Sequence, residues 1–134
     1  MIVVDSNVLA YFWIQGVHTH LAEQVLQKDA AWAAPLLWRS ELRNILATYL
    51  RRGLLEDDLA CSMMLEAEKK MLGHEFSVSS SDVLQMAHAS NCSAYDCEFV
   101  VLARELNVSL VTADKQVLAA FPKIAMSMSA FVAS

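Results

Sequence analysis

Glycine and proline are scarce, with three and two among 134 residues. So few turn formers exclude the closely spaced turns of an all-β sandwich or barrel, and they exclude collagen and a disordered linker. Helices must then carry much of the fold. Cysteine is scarce too: three residues, an odd number with no CxxC pair, fit reduced thiols in a cytosol rather than a disulfide framework. Basic side chains (10) are outnumbered by acidic ones (15), for a formal charge of -5. That balance excludes a protein that grips nucleic acid by bulk positive charge alone, though not one with a local basic patch. A membrane span is missing as well. The longest stretch free of Asp, Glu, Lys and Arg, Ser6 to Ala22, is interrupted by Gln15, Gly16, His18 and His20 before it spans ~30 Å of hydrocarbon. Met1-Ile2-Val3-Val4 meets Asp5 with no basic residue before it, so no export signal is expected.

What the chain has is apolar mass. Its hydrophobic fraction is 56%, against ~45–50% in an average domain, and its length suits one domain that buries roughly 68% of its unfolded surface. Ile2 to Val4 is a β-branched run closed by Asp5, as in a strand covered on both faces of a parallel sheet. A helix is expected through Leu9 to Ile14, broken at Gly16, with Thr19 capping a second helix whose Leu21, Ala22, Val25 and Leu26 recur at helical spacing to about Asp29. Ala31 to Ala34 is placed as a strand by position more than propensity. Pro35 is expected to open a helix, where its missing N–H is harmless, with Leu42, Ile45, Leu46 and Tyr49 as core stripe and Gly53 as stop. The next helix is expected from Leu55 to Leu72, with Leu59, Met63, Met64 and Ala67 inward and Gly73 after it. Ser79 and Ser80 stand as caps for a helix through Leu84 and Ala87 to Ser90. Ser93-Ala94-Tyr95-Asp96 has the form of a capping box before Phe99, Val100, Ala103 and Leu106. Val108 to Val111 reads as a strand, Lys115 to Ala120 as a short helix, and Lys123 to Ser127 as an edge strand. This alternation predicts a parallel sheet of four to five strands between helices, with ligands at its carboxyl edge.

Asp5 directly follows the first strand and Asp114 follows Leu110-Val111-Thr112 by one residue, so both are expected at that edge. The plainer reading is that each caps the helix after it. Asp96 shares a helical face with Phe99, Val100 and Ala103, at i+3, i+4 and i+7, which puts it on the core stripe; as an alternative it is only the partner of Ser93 in a capping box. Glu98 and Glu105 fall on the polar face of the same helix, as solvated residues. Glu41 lies at the border of the Leu42/Ile45/Tyr49 stripe, a place where a Glu is usually solvated. Converging, Asp5, Glu41, Asp96 and Asp114 would repel one another unless a divalent cation neutralised them. Hard oxygen ligands suit Mg²⁺ or Mn²⁺, ions that clamp phosphates and activate water. His18, His20, His74, His88, Cys61, Cys92 and Cys97 show no zinc-ligand spacing.

Four marks in order, the strand ending in Asp5-Ser6-Asn7, the mid-chain Glu41, Ser93-Ala94-Tyr95-Asp96 and Leu110-Val111-Thr112-Ala113-Asp114-Lys115, give the whole chain a resemblance to PIN-domain ribonucleases, most of all the VapC-type toxins of toxin–antitoxin pairs. The resemblance implies a single PIN-like domain over residues 1–134, three-layered α/β/α. It implies that Asp5, Glu41, Asp96 and Asp114 bind Mg²⁺ or Mn²⁺, with Asn7 and Thr112 orienting them. It also implies products with 5′-phosphate and 3′-hydroxyl ends. Cys97 departs from the family, which has a small Ala there, and no acid follows Asp114 where some relatives carry another.

Four of the five arginines, Arg39, Arg43, Arg51 and Arg52, fall in one segment whose only acid is Glu41, a local +3. Together with Lys115, Arg39, Arg43 and Arg52 are candidates to guide an RNA backbone; the alternative is a solvated face paired to acids such as Asp57 and Asp58. Tyr11-Phe12-Trp13-Ile14 spread over ~300° of a helix, too wide for one core. Some of them are expected to meet a partner, against the alternative of a helix buried on most sides, and the resemblance implies that the partner is a second copy, in a homodimer, or an antitoxin that they would meet as a groove. The sequence thus points to a cytoplasmic, metal-dependent endoribonuclease acting on RNA with an antitoxin partner. Its rivals are a non-catalytic PIN-like binding module and a haloacid-dehalogenase-like phosphohydrolase with Asp5 as nucleophile, for which Asn7 replaces the usual second Asp.

Overall fold

The computed structural model describes residues 1–134. Five short parallel strands form one sheet in the order β3-β2-β1-β4-β5: β1 (Ile2–Val4), β2 (Trp32–Pro35), β3 (Glu75–Phe76), β4 (Leu110–Val111) and β5 (Ala125–Met126). The β-branched run leads to the middle of the sheet because all three of its side chains are buried, and a central strand is covered on both faces. Val3 aligns with Ala33 on one side and Leu110 on the other.

Eight helices flank the sheet: α1 (Ser6–Trp13), α2 (Thr19–Lys28), α3 (Trp38–Arg51), α4 (Asp57–Met71), α5 (Ser80–Ala89), α6 (Ala94–Leu106), α7 (Lys115–Ala120) and α8 (Met128–Ala133). α6 packs against β1, β2 and β4, with α5 against it, while α1, α2, α3, α4 and α8 form a second contiguous group. The heavy burial of α6, where Cys97 and Phe99 to Ala103 are all buried, follows from that place. Cys97 is fully buried there. Asn107 closes α6 in the left-handed region at φ 55°, a conformation Asn tolerates better than most residues.

Several local expectations are corrected. Pro35 does not open a helix; it ends β2, aligned with Phe76, and α3 starts three residues later because Leu36 and Leu37 form the turn between. Thr19 does not cap α2. Its buried hydroxyl donates to the Tyr11 and Ile14 carbonyls and accepts the Gly16 N–H, so it closes the end of α1. On α4, Ala67 is buried and Met63 and Met64 pack against the core as expected, with Ala60 and Met71 beside them, but Leu59 is exposed. Glu98 is half-buried beside Phe76 and Val83 rather than solvated. Two elements went unexpected, β3 and α8. The latter is capped by the Ser127 hydroxyl and pinned by Lys28, whose ammonium donates to Phe131 O and lies over its ring.

The Tyr11 to Ile14 run finds most of its partners inside the chain. Ile14 is buried, and Phe12 meets Trp13 and Trp32 edge to face at 5.0 and 5.6 Å. Apolar surface is exposed elsewhere, at Leu54, Leu59, Leu65 and Leu72 on and around α4. No helix is long and apolar enough to cross a membrane.

Candidate active site

Beyond the carboxyl ends of β1 and β4 lies a cavity of about 390 Å³ whose wall includes Asp5, Glu41, Asp96 and Asp114, and no lysine or arginine. Parallel sheets leave such a crevice where helices depart from strand ends, and each acid reaches it from a different element.

Asp5 leaves β1 and caps α1, its Oδ1 accepting the Val8 N–H at 2.9 Å. Its Oδ2 accepts the Thr112 hydroxyl and, at 3.4 Å, the Ala113 N–H. Asp114 leaves β4 and caps α7, with Oδ1 accepting the Val117 N–H at 2.9 Å and its own N–H donating to Thr112 Oγ1 at 3.0 Å. Capping and lining the cavity are thus compatible, because a cap occupies one carboxylate oxygen and leaves the other. Thr112 links the two acids: its single hydroxyl donates to one and accepts from the backbone of the other.

Asp96 is in the first turn of α6. Its N–H donates to Ser93 Oγ at 3.0 Å, the forward half of a capping box. The Asp96 carboxylate makes no bond back to the Ser93 N–H, so it is left to the cavity. Glu41 is half-buried on α3, and its Oε1 accepts the Ser6 hydroxyl at 2.7 Å, tying α3 to α1.

The electrostatics are those of a cluster short of positive charge. Burial raises the pKa of Asp5, with the Thr112 hydrogen bond opposing and the Asp114 charge adding. Burial likewise raises Glu41, opposed by the Ser6 bond and reinforced by the charges of Asp96 and Asp5. Asp96 is raised by burial and then by Asp114, with the Ser93 side chain opposing. No cation appears among the causes for any of the three. Carboxylates so placed are a hard-oxygen donor set of the kind Mg²⁺ and Mn²⁺ take. As the side chains stand, however, no three His, Cys, Asp or Glu are placed to hold an ion. The expectation of one metal-sized cluster is therefore met only as far as a shared cavity, since like charges spread and Asp5, Glu41 and Asp114 are tethered to hydroxyl or N–H donors.

The structure redistributes the supporting roles. Asn7 lines the cavity but is exposed and hydrogen-bonds none of the acids; Ser6, next to it, holds Glu41 instead. Ser6 gave no signal in the sequence beyond following a strand, because its burial at 5% exposure depends on α3 closing over it. Asn44 and Tyr95 also line the cavity, and only Asn44's place on Glu41's side of the helix hinted at this. Arg39 is withdrawn from the RNA-facing candidates: its guanidinium binds Glu75 and Glu68, both at 2.6 Å. Arg43, Arg52 and Lys115 are exposed, take part in no ion pair, and lie outside the cavity wall.

Known proteins share this fold. The PIN domain family matches residues 2–124. Ribonuclease VapC3 of Pyrobaculum aerophilum is 27% identical over 126 residues, which span 92% of this chain and 96% of that one. The crystal structure of PAE2754 from the same organism superposes with a TM-score of 0.75 at 20% identity, covering 98% of this chain and 93% of that one. A toxin–antitoxin complex from Klebsiella pneumoniae gives 0.67 at 14% identity, covering 96% and 98%. A family match over nearly the whole chain, on a fold those structures share, means that the chain belongs to the PIN domain family.

Proposed function

We propose that this chain is a metal-dependent endoribonuclease and the toxin of a toxin–antitoxin pair. The observation that carries the reading is the cavity itself: four acids from four parts of the chain line it, and no basic side chain does. A fold has no structural use for so much unpaired charge in one crevice, whereas phosphodiester hydrolysis does. The name of the VapC3 relative supports ribonuclease activity, and the Klebsiella pneumoniae complex supports an antitoxin partner.

Asp5, Asp96 and Asp114 would hold Mg²⁺ or Mn²⁺, with Glu41 as a further ligand or as the base that orients water. When bound, such an ion polarises the phosphodiester and lowers the pKa of water. The chain supplies the orientation. Thr112 fixes the rotamer of Asp5, Ser6 fixes that of Glu41, and the burial that raises Glu41 brings its proton affinity nearer to that wanted of a base at neutral pH. Asn7 and Thr112 remain beside the acids, and Arg43, Arg52 and Lys115 are the free cations from which a phosphate backbone would be steered. The exposed leucines around α4, rather than Tyr11 to Ile14, are the surface for an antitoxin or a second copy.

Incubation with a total-RNA pool tests the chemistry. Cleavage in Mg²⁺ or Mn²⁺, its loss on chelation, and 5′-phosphate products are expected; cleavage indifferent to chelation, or none with any divalent ion, overturns the reading. Sedimentation over a range of concentrations tests for the dimer.

A further inference from the structure

Of three tryptophans, three tyrosines and five phenylalanines, only Tyr95 is exposed, at 64%. Tyr11 pairs with the His18 ring, and Tyr49 packs against the core. Tyr95 stacks on nothing in the chain, and its hydroxyl makes no hydrogen bond. Its place is specific nonetheless, on the wall of the acidic cavity immediately before Asp96. The same wall carries the exposed polar side chains of Ser40 and Asn44, one turn apart on α3, and of Asn7 on α1. These offer amide donors, amide acceptors and a hydroxyl, all uncharged.

A cavity with four acids and no basic residue repels phosphates wherever no cation intervenes. The part of a polynucleotide that this wall can accept away from the acids is therefore its uncharged part, the base. An exposed aromatic ring beside amide groups is the chemistry that takes up an unstacked base: the ring covers its face, and the amides meet its edge. We propose that Tyr95, with Asn44 and Asn7, forms a nucleobase subsite beside the acidic quartet, holding one unstacked base of the substrate against the ring next to the cleaved bond. This subsite rests on the ribonuclease reading above. A base stacked within a duplex offers no free face to Tyr95, so it is taken up only once unstacked.

The probe is a mixed-sequence single-stranded RNA 12-mer carrying 2-aminopurine, with the same strand annealed to its complement, each titrated in Mg²⁺ with the wild type and with Tyr95→Phe, Tyr95→Trp and Tyr95→Ala. Stacking quenches 2-aminopurine. Wild type, Phe and Trp variants should bind and quench the single strand, the Ala variant should bind about tenfold or more weakly, and the duplex should bind poorly to all. Melting temperatures should not move, since the side chain is exposed. An Ala variant that binds and cleaves like the wild type, Phe and Trp variants as weak as Ala, or a duplex bound as well as the single strand would each overturn the subsite while leaving the ribonuclease reading in place. Failure of the wild type to bind or cleave any RNA would instead overturn that reading, and the subsite with it.

Discussion

Glu75 and Glu68 meet Arg39 at 2.6 Å, whereas Asp5, Glu41, Asp96 and Asp114 meet no cation at all. Glu75 is also bonded by the indole N–H of fully buried Trp38 at 2.7 Å, and its pKa is held down by the Arg39 hydrogen bonds. In the quartet the direction reverses, and burial pushes Asp5, Glu41 and Asp96 up. The fold is able to place an arginine against an acid; it does so where β3 must be fixed to α3. Around the cavity it places none, which fits the proposal that those charges serve a cation from outside the chain. Pairing separates Glu75, which fixes β3 to α3, from the unpaired acids of the cavity, a distinction that spacing in the sequence does not reveal.

The sharpest way to break this comparison is Asp96→Asn. Asn keeps the shape and the N–H that donates to Ser93, but lacks the anionic oxygen a hard cation takes. Cleavage of an RNA pool should fall by about 10²-fold or more, the scale on which a group acting at the reacting atoms is missed. The melting temperature without metal should hold or rise, because one repelling charge is gone. Full Mn²⁺-dependent cleavage by this variant would return Asp96 to a purely capping role.

Next in size is Ser6→Ala, which removes the hydroxyl that Glu41 accepts at 2.7 Å. If Ser6 serves by orienting Glu41, cleavage should fall by roughly 10- to 100-fold, as when a partner that aims a metal-site ligand is lost, with kcat affected more than KM. A change confined to the melting temperature would show that the bond only joins α1 to α3.

Much of this was legible before the structure. Asp5 and Asp114 are caps at the ends of apolar strands, and the turn chemistry that marks them also puts them at the carboxyl edge. What stayed hidden has physical causes. β3 is two residues long, too short for any period, and one of the two is Glu75, an acid that reads as a loop residue until Arg39 meets it. Leu59 was expected on one inward face with Met63, Met64 and Ala67, yet it is Ala60 beside it that is buried, and the leucine is exposed. Pro35 suits a helix start and a strand end equally well, and only pairing with Phe76 decides. Helical spacing already showed that the basic run Arg39 to Arg52 need not form one surface, but not that Arg39 alone of the run turns toward acids from later in the chain.

A smaller effect, on stability rather than rate, is expected of Arg39→Ala. Glu75, whose side chain is only 12% exposed, would lose its one cationic partner, and Trp38 would lose a cation 5.8 Å from its ring. The melting temperature should drop by several degrees at neutral pH, with RNA cleavage at the wild-type rate where the protein is folded. A defect in cleavage with no change in melting would put Arg39 back among the RNA-facing cations.

The finest discrimination comes from acid titration of the metal-free protein. Asp5, Glu41 and Asp96 have pKa values raised by burial, so the folded chain takes up their protons at a higher pH than the unfolded chain does. Stability must then increase as the pH falls from neutral through those folded values, until the unfolded carboxylates titrate near 4. Glu75, lowered by Arg39, and Asp29, lowered by the terminal ammonium, run the other way. Their contribution is present above the ordinary carboxylate range and is lost only as the pH falls through their depressed folded values. The melting temperature should therefore rise modestly on going from pH 7 toward 5, and collapse below about 4. Mn²⁺ should stabilise more at pH 7 than at pH 5, because it binds the ionised form of the acids. Asp96→Asn should flatten the rise above pH 5 and leave the collapse, whereas Arg39→Ala should keep the rise and soften the collapse. A melting temperature that falls steadily from pH 7 to 5 in the wild type would mean that the quartet is as well compensated as the Glu75 pair, and the contrast between the two groups of acids would disappear.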